Sequence, residues 1–205
     1  MVWVDMMACG NEQILLDTRD VDLTIRRMVE DLAAGVEEPE HLALIGIRTH
    51  GVTLARRMCD VFAEDFHWQV PLGILDITLY RDDLNELSQR GKSPIVRPTR
   101  IDFDISDALV VLVDDVLYTG RTIRCALAEI MDYGRPSAIR LGVLVDRGLR
   151  ELPIQPDVVG VTLDTTPGER VLVRLGEDDE KKGVWICRAN AQPGPGPAAP
   201  DGAPT

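Results

Sequence analysis

The chain has 205 residues, 45% of them apolar, which is enough for the core of one α/β domain and too little for two large ones. A net charge of -12 opposes indiscriminate nucleic-acid binding, which rests on Lys and Arg neutralising phosphates, and 4% aromatics argues against a single-strand surface built on stacked rings. No apolar run reaches the roughly 18 to 20 residues that span a bilayer, and no basic segment precedes an apolar one at the amino terminus, so a cytoplasmic location is expected. The four cysteines, Cys9, Cys59, Cys125 and Cys187, lie far apart with no C-x-x-C pair and read as reduced, structural thiols.

Residues 1–13 show no usable periodicity and read as an extension ahead of a domain over 14–187. From Val21, apolar residues at Ile25, Met28, Val29 and Leu32 recur at helical spacing, with Thr18 or Asp20 as cap and Gly35 as stop. Residues 42–47 (LALIGI) form a short apolar run that ends in Arg48-Thr49-His50-Gly51, and a helical pattern resumes over 52–66. This is a strand, a loop and a helix. Residues 70–80 are β-rich and lead into a polar, Pro- and Gly-containing stretch over 81–100, a length typical of a lid or a disordered segment.

Residues 109–113 are a continuous apolar strand, 122–132 a helix with Ile123, Leu127, Ile130 and Met131 on one face, and 138–145 another buried strand. Strands alternating with helices imply a doubly wound, mostly parallel sheet flanked by helices, with ligands at the carboxyl ends of its strands. After Asp146 the pattern changes to Pro-punctuated segments and two β-like runs, 171–175 and 184–187, joined by a charged turn. We read 149–187 as most of a small hood over the sheet. Residues 188–205, rich in Pro, Gly and Ala, are expected to be disordered.

The chemistry is concentrated in residues 109–122 (LVVLVDDVLYTGRT). A buried strand delivers Asp114 and Asp115 to its carboxyl end, where two carboxylates serve no packing purpose and suit the vicinal hydroxyls of a ribose. Thr119, Gly120, Arg121 and Thr122 then offer hydroxyls and backbone N–H groups at a helix amino terminus, a site for a phosphate. One ligand bearing both groups is a ribose 5-phosphate. Acids beside a phosphate fit a sugar phosphate that carries Mg2+.

This string resembles the diphosphoribosyl-binding motif of type I phosphoribosyltransferases, and VDDVLYTGRT is similar to that of the PyrR family of pyrimidine operon attenuators with uracil phosphoribosyltransferase activity. GIRTHG (46–51), LDITLYRDDL (75–84), DYGRP (132–136), VLVDRG (143–148) and RELPI (150–154) occur in the family's order, so the likeness extends over about residues 14–187. It implies the type I phosphoribosyltransferase fold with a hood. The reaction implied joins uracil to phosphoribosyl diphosphate, bound with Mg2+, and releases UMP and diphosphate without a covalent enzyme nucleophile.

By the same resemblance, Asp114 and Asp115 hold the ribose hydroxyls, with Val116 and Leu117 leading into the phosphate loop from Tyr118 to Thr122. Thr49 and His50 lie in the diphosphate loop. Arg81, followed by Asp82 and Asp83, begins the loop that closes over the substrate, where excluding water protects an oxocarbenium-like sugar. Arg147 and the backbone around Val171 are the base-binding candidates by ungapped comparison. Purine enzymes usually carry an Asp at the position of Tyr118, so the tyrosine argues for a pyrimidine. Family members are usually homodimers or higher homo-oligomers.

The family's second activity is binding a pyr leader mRNA in response to uridine nucleotides, and this sequence supports it poorly. The first helix carries Asp22, Glu30 and Asp31, leaving Arg26 and Arg27, with Arg150 as a third candidate contact. The alternative function is a nucleotide-sensing RNA-binding regulator of pyrimidine genes with weak or no catalysis. Two further departures touch the enzyme. His50 stands where the family usually has Arg, replacing a permanent cation by a residue type that titrates near neutrality. Residues 161–166 (VTLDTT) replace a pattern like KNIPTS at the base pocket or its rim.

Overall fold

The computed structural model describes residues 11–77, 98–176, 179 and 181–188. Five parallel strands form the main sheet in the order β3-β2-β4-β5-β6: β2 (Leu42–Ile47), β3 (Leu72–Leu75), β4 (Leu109–Leu117), β5 (Ala138–Asp146) and β6 (Val158–Thr162). Helices α1 (Thr18–Ala33), α2 (His50–Asp65) and α3 (Arg121–Ile130) accompany them. The expected doubly wound α/β sheet is therefore present.

The strands are apolar along most of their length because both faces of the sheet are covered. Leu42, Leu44, Val111 and Val113 face a core shared with Ile25, Met28 and Leu32 of α1 and Leu54, Met58 and Phe62 of α2. Their neighbours Ile45, Ile47, Val110 and Leu112 face the opposite core with Ile123, Ala126 and Ile130 of α3. The alternation follows the two-residue period of a strand, and each fully buried Leu, Ile or Phe contributes about 1.5–3 kcal/mol.

The cap of helix α1 lies one residue before Thr18, the first of the expected caps. Asp17 is the N-cap and accepts from the backbone N–H of Asp20, whose carboxylate accepts in turn from the Asp17 N–H. This reciprocal pair satisfies two of the donors that a helix start leaves open. Asp20 therefore completes the cap as its third helical residue.

A second sheet forms the hood, three antiparallel strands in the order β1-β8-β7: β1 (Asn11–Leu16), β8 (Gly183–Arg188) and β7 (Glu169–Arg174). Two expectations change here. The boundary placed between residues 13 and 14 falls inside β1, which pairs Asn11 with Arg188 and Ile14 with Trp185, so this stretch is part of the hood. β6, within the stretch assigned mainly to the hood, instead pairs in parallel with β5 and completes the main sheet. The hood is joined to the first core through Val173, Leu175 and Val184. Across its face Arg174 binds Glu12 at 3.0 Å and lies 4.6 Å from the Trp185 ring.

Cysteine chemistry also differs from expectation. Cys59 is a free thiol, but Cys187 on β8 is disulfide-bonded, so the reduced reading does not extend to the hood. Burial against the first core, reinforced by Asp60, pushes the Cys59 thiol up to about 12, which leaves it essentially without thiolate at neutral pH. Among the described residues no helix is long and apolar enough to cross a membrane.

Candidate active site

All five parallel strands end on the same side of the sheet. The chain runs from β2 to β3 on one side of β2 and then crosses to β4 on the other, so β2 and β4 flank the point where the winding reverses. Ligands of such sheets bind in the crevice at that point. The structure brings the segments after β2 and β4 together there.

The β2–α2 connection holds Arg48, Thr49 and His50. Thr49 is the N-cap of α2 without a side-chain cap bond, and His50 is the first helical residue, half-buried. The opening N–H groups of α2 therefore have no side-chain cap from Thr49, an arrangement that suits an anion. The Arg48–Thr49 peptide is cis. Arg48 reaches across to Asp76 just past β3, 3.7 Å away, and its buried Nε has no hydrogen-bond partner among the described residues. The Asp76 side chain is buried, and its backbone N–H donates to Thr99 Oγ1, which ties the root of the long loop to the other end of that loop.

Gly51 sets how closely the two connections approach. A Cβ there would lie 2.4 Å from the Val113 carbonyl oxygen and 3.1 Å from the Asp114 Cα, both backbone atoms of β4. Only glycine lets the first turn of α2 press against the strand that carries the acidic pair.

At the end of β4, Asp114 is buried and Asp115 half-buried, with Asp114 Oδ1 accepting from the Asp115 N–H at 3.1 Å. Val116 is half-buried and Leu117 packs in the second core. Tyr118 to Gly120 then lead into α3. Gly120 is the N-cap with φ +91, and a Cβ there would meet Ile154 and Leu152 at 3.3 and 3.4 Å, so both the left-handed backbone and the close cover favour glycine. Arg121 and Thr122 are the first two helical residues, and the Arg121 N–H points to Thr119 Oγ1 at 3.3 Å. The expected helix start at Thr122 is one residue late, and the helix ends at Ile130 rather than Asp132.

Arg147 follows β5 and is buried. Its guanidinium lies 4.2 Å from the Tyr118 ring centroid and donates to Thr165 Oγ1, to the Thr166 carbonyl and to the Glu169 carbonyl. It therefore joins the segment between β4 and α3 to the hood, and Glu169 is two residues from Val171, which pairs with Ile186 on β8. Burial pulls the Arg147 guanidinium below its ordinary value, opposed by Tyr118 and Glu169. The altered VTLDTT stretch contains Thr165 and Thr166, so the divergent segment is the one that grips Arg147. Nothing in the sequence spacing signals the Tyr118–Arg147 contact, which joins the ends of adjacent strands β4 and β5.

Glu169 anchors this corner. Its carboxylate accepts from the Thr166 N–H at 2.8 Å and from Arg188 Nε at 2.8 Å. The Thr166 N–H first, and Arg188 second, hold its carboxyl below the usual glutamate range. A depressed folded-state value means the contribution to stability is present above the ordinary value of about 4.3 and fades as pH falls through the folded one. Glu169→Gln is therefore expected to lower the melting temperature at neutral pH and to lose less on acidification than the wild type, as read by melting curves across that range.

The three cations offered to RNA are engaged within the chain. Arg26 pairs with Glu64 at 2.9 Å and with Asp65, which together raise its pKa, the Asp65 hydrogen bond most. Arg27 donates to the Gly160 carbonyl of β6. Arg150, half-buried, turns inward to Asp146 and to backbone carbonyls, a placement that a contact on the RNA surface does not need. Arg81, with Asp82 and Asp83, lies outside the described residues.

Comparison with known proteins places the chain in a family. The model of the phosphoribosyl transferase domain matches residues 14–177. A protein named "Bifunctional protein PyrR" from Roseiflexus sp. (strain RS-1) is 50% identical over 189 residues, covering 90% of this chain and 100% of the relative. One of the same name from Deinococcus radiodurans is 47% identical over 165 residues, covering 80% and 88%. Among solved structures, a hypoxanthine phosphoribosyltransferase from Trypanosoma cruzi in a ternary substrates complex superposes with a TM-score of 0.64 at 21% identity, over 85% of this chain and 94% of that one, a likeness of fold. With its fold, its β4 motif and these relatives in agreement, the chain belongs to the PyrR family of type I phosphoribosyltransferases.

Proposed function

We propose that this phosphoribosyltransferase joins uracil to phosphoribosyl diphosphate, yielding UMP and diphosphate. The observation that carries the reading is the end of β4, where Asp114 and Asp115 stand directly before a glycine-capped phosphate loop and across from the open amino terminus of α2. Ribose hydroxyls, 5-phosphate and leaving diphosphate each meet a matching group within one crevice.

The bond from the anomeric carbon to the diphosphate oxygen breaks as a uracil ring nitrogen bonds to the same carbon, and the proton of that nitrogen passes to water. Asp114 and Asp115 fix the sugar by accepting from its hydroxyls. The α2 amino terminus, with Thr49 and His50, receives the growing charge on the leaving group, so catalysis comes from orientation and electrostatics. Tyr118 and Arg147 form a flat wall between phosphate loop and hood against which a pyrimidine fits, with the backbone near Val171 as its further edge.

Asp114 and Asp115 would supply hard oxygen donors to a Mg2+ bound together with the substrate diphosphate. Such an ion would neutralise the diphosphate as it departs. Arg81 is proposed to act from the long loop.

The regulatory reading rests on the "bifunctional" name of the relatives. Against it stand the internal engagements of Arg26, Arg27 and Arg150. A radiolabelled uracil assay with phosphoribosyl diphosphate and Mg2+ decides between them. UMP formation supports the enzyme; no UMP, together with nucleotide-dependent binding of a pyr leader RNA, would overturn it.

A further inference from the structure

We infer that Arg150 is the positioning residue of the phosphate loop, holding its backbone carbonyls away from the anion so that its N–H groups face it. The inference rests on the phosphoribosyl reading of the site and concerns a residue outside the motif itself.

Arg150 sits in the turn after β5, with its side chain 13% exposed and its partner Asp146 14% exposed, 2.6 Å apart. The remaining donors of the guanidinium spread over four carbonyls: Ile154 at 3.0 Å, Gly148 at 3.2 Å, Leu117 at 3.4 Å and Tyr118 at 2.9 Å. Two of these belong to the β4 end and the phosphate loop. The next carbonyl, Thr119, accepts from the N–H groups of Glu151 and Leu152 at 3.0 and 3.1 Å. The next again, Gly120, accepts from the Arg124 N–H inside α3.

Four consecutive carbonyls from Leu117 to Gly120 are thus tied down: Leu117 by the Arg147 N–H at 3.1 Å with Arg150 at 3.4 Å, Tyr118 by Arg150, Thr119 by the two residues after Arg150, and Gly120 inside α3. A carbonyl oxygen turned into a phosphate site would repel the ligand, and a loop of several N–H groups binds an anion only while its oxygens point elsewhere. Glu151 adds an ion pair to Arg121 at 2.6 Å, and Leu152 and Ile154 lie against Gly120. The short segment 148–154 is therefore a clasp beneath the loop, with Arg150 as its pin.

Only a guanidinium suits the position. Its planar fork offers five donors in fixed directions, whereas a lysine ammonium offers three from one point. Arg150→Ala would leave the half-buried Asp146 carboxylate with the Gly148 N–H and no cation, which threatens folding, so the informative variant is Arg150→Lys, which keeps the charge and loses the fork.

The test measures UMP and uridine binding by calorimetry to the full chain and to Arg150→Lys, with melting temperatures recorded without ligand. A loop misplaced by about 1 Å loses roughly tenfold to a hundredfold, so UMP affinity should fall by at least that lower factor while uridine, which lacks the phosphate, binds as before. Equal losses for UMP and uridine, or unchanged UMP affinity, would overturn the positioning role. Should Arg150→Lys fail to fold, Asp146→Asn releases the other end of the pin, and a smaller UMP-selective loss is expected; unchanged UMP affinity in that folded variant overturns the inference too. Because the readout is binding, it holds whether or not the chain turns over uracil. No UMP binding by the wild type would overturn both the site reading and this inference.

Discussion

Replacing Asp114 and Asp115 together by Asn is expected to abolish UMP formation in a protein that still folds. Asn keeps the shape of each side chain, and an amide oxygen in place of Asp114 Oδ1 can still accept the N–H of residue 115. What is lost is two negative charges and half the acceptors offered to the ribose. Removing one preorganised group at a reacting centre costs about 10²–10³ in turnover, so the double change should exceed about 10³. Initial rates with radiolabelled uracil measure it, and a circular-dichroism melt separates chemistry from folding. Full activity in the double variant would refute the assignment of the ribose site.

The second large effect comes from Gly51→Ala, a change of one methyl group far smaller than any active-site deletion. The new Cβ would sit 2.4 Å from the Val113 carbonyl oxygen, and neither it nor the Asp114 Cα is a movable side-chain end. α2 must retreat from β4. The β2–α2 connection and the Asp114–Asp115 pair then separate, and if these are the proposed diphosphate and ribose sites, a displacement of about 1 Å at a reacting centre is worth roughly a hundredfold in rate. We expect kcat/KM for phosphoribosyl diphosphate to drop by that factor, along with a loss of stability from strain of about 1–3 kcal/mol. A variant with wild-type kinetics would show that the close approach of α2 and β4 is not needed.

Much of this site is legible in the sequence because it depends on local order. Residues 109–122 run from apolar strand to acidic pair to glycine and hydroxyls, and each type is there for a local backbone reason, so strand, carboxylates and phosphate loop follow from one string. The glycines of 46–51 mark a tight connection in the same way. What the sequence hides is long-range. β1 (NEQILL) has no strand-like alternation, and its partner β8 lies at the far end of the described chain, so no local pattern announces the pair. β6 is obscured by its Pro-flanked setting, because its role depends only on the edge that β5 offers.

Charge is the least legible. Arg26, Arg27 and Arg150 look alike in sequence, as basic residues available to a phosphate. Their roles are decided by tertiary neighbours: two acids at the end of α2, a carbonyl on β6, and a ring of carbonyls at the end of β4. A guanidinium's partners are set by what the fold places within reach.

The hood draws β1 from one end of the described chain and β7 and β8 from the other, with β8 in the middle of the sheet. During synthesis the parallel sheet can assemble once Thr162 has left the ribosome, while β1 waits for a neighbour that is made later. A nascent chain would therefore hold a formed parallel sheet, with the crevice between β2 and β4, before it has its hood. Variants trimmed near Asn11 or Arg188 should disturb the hood first and leave the parallel sheet standing.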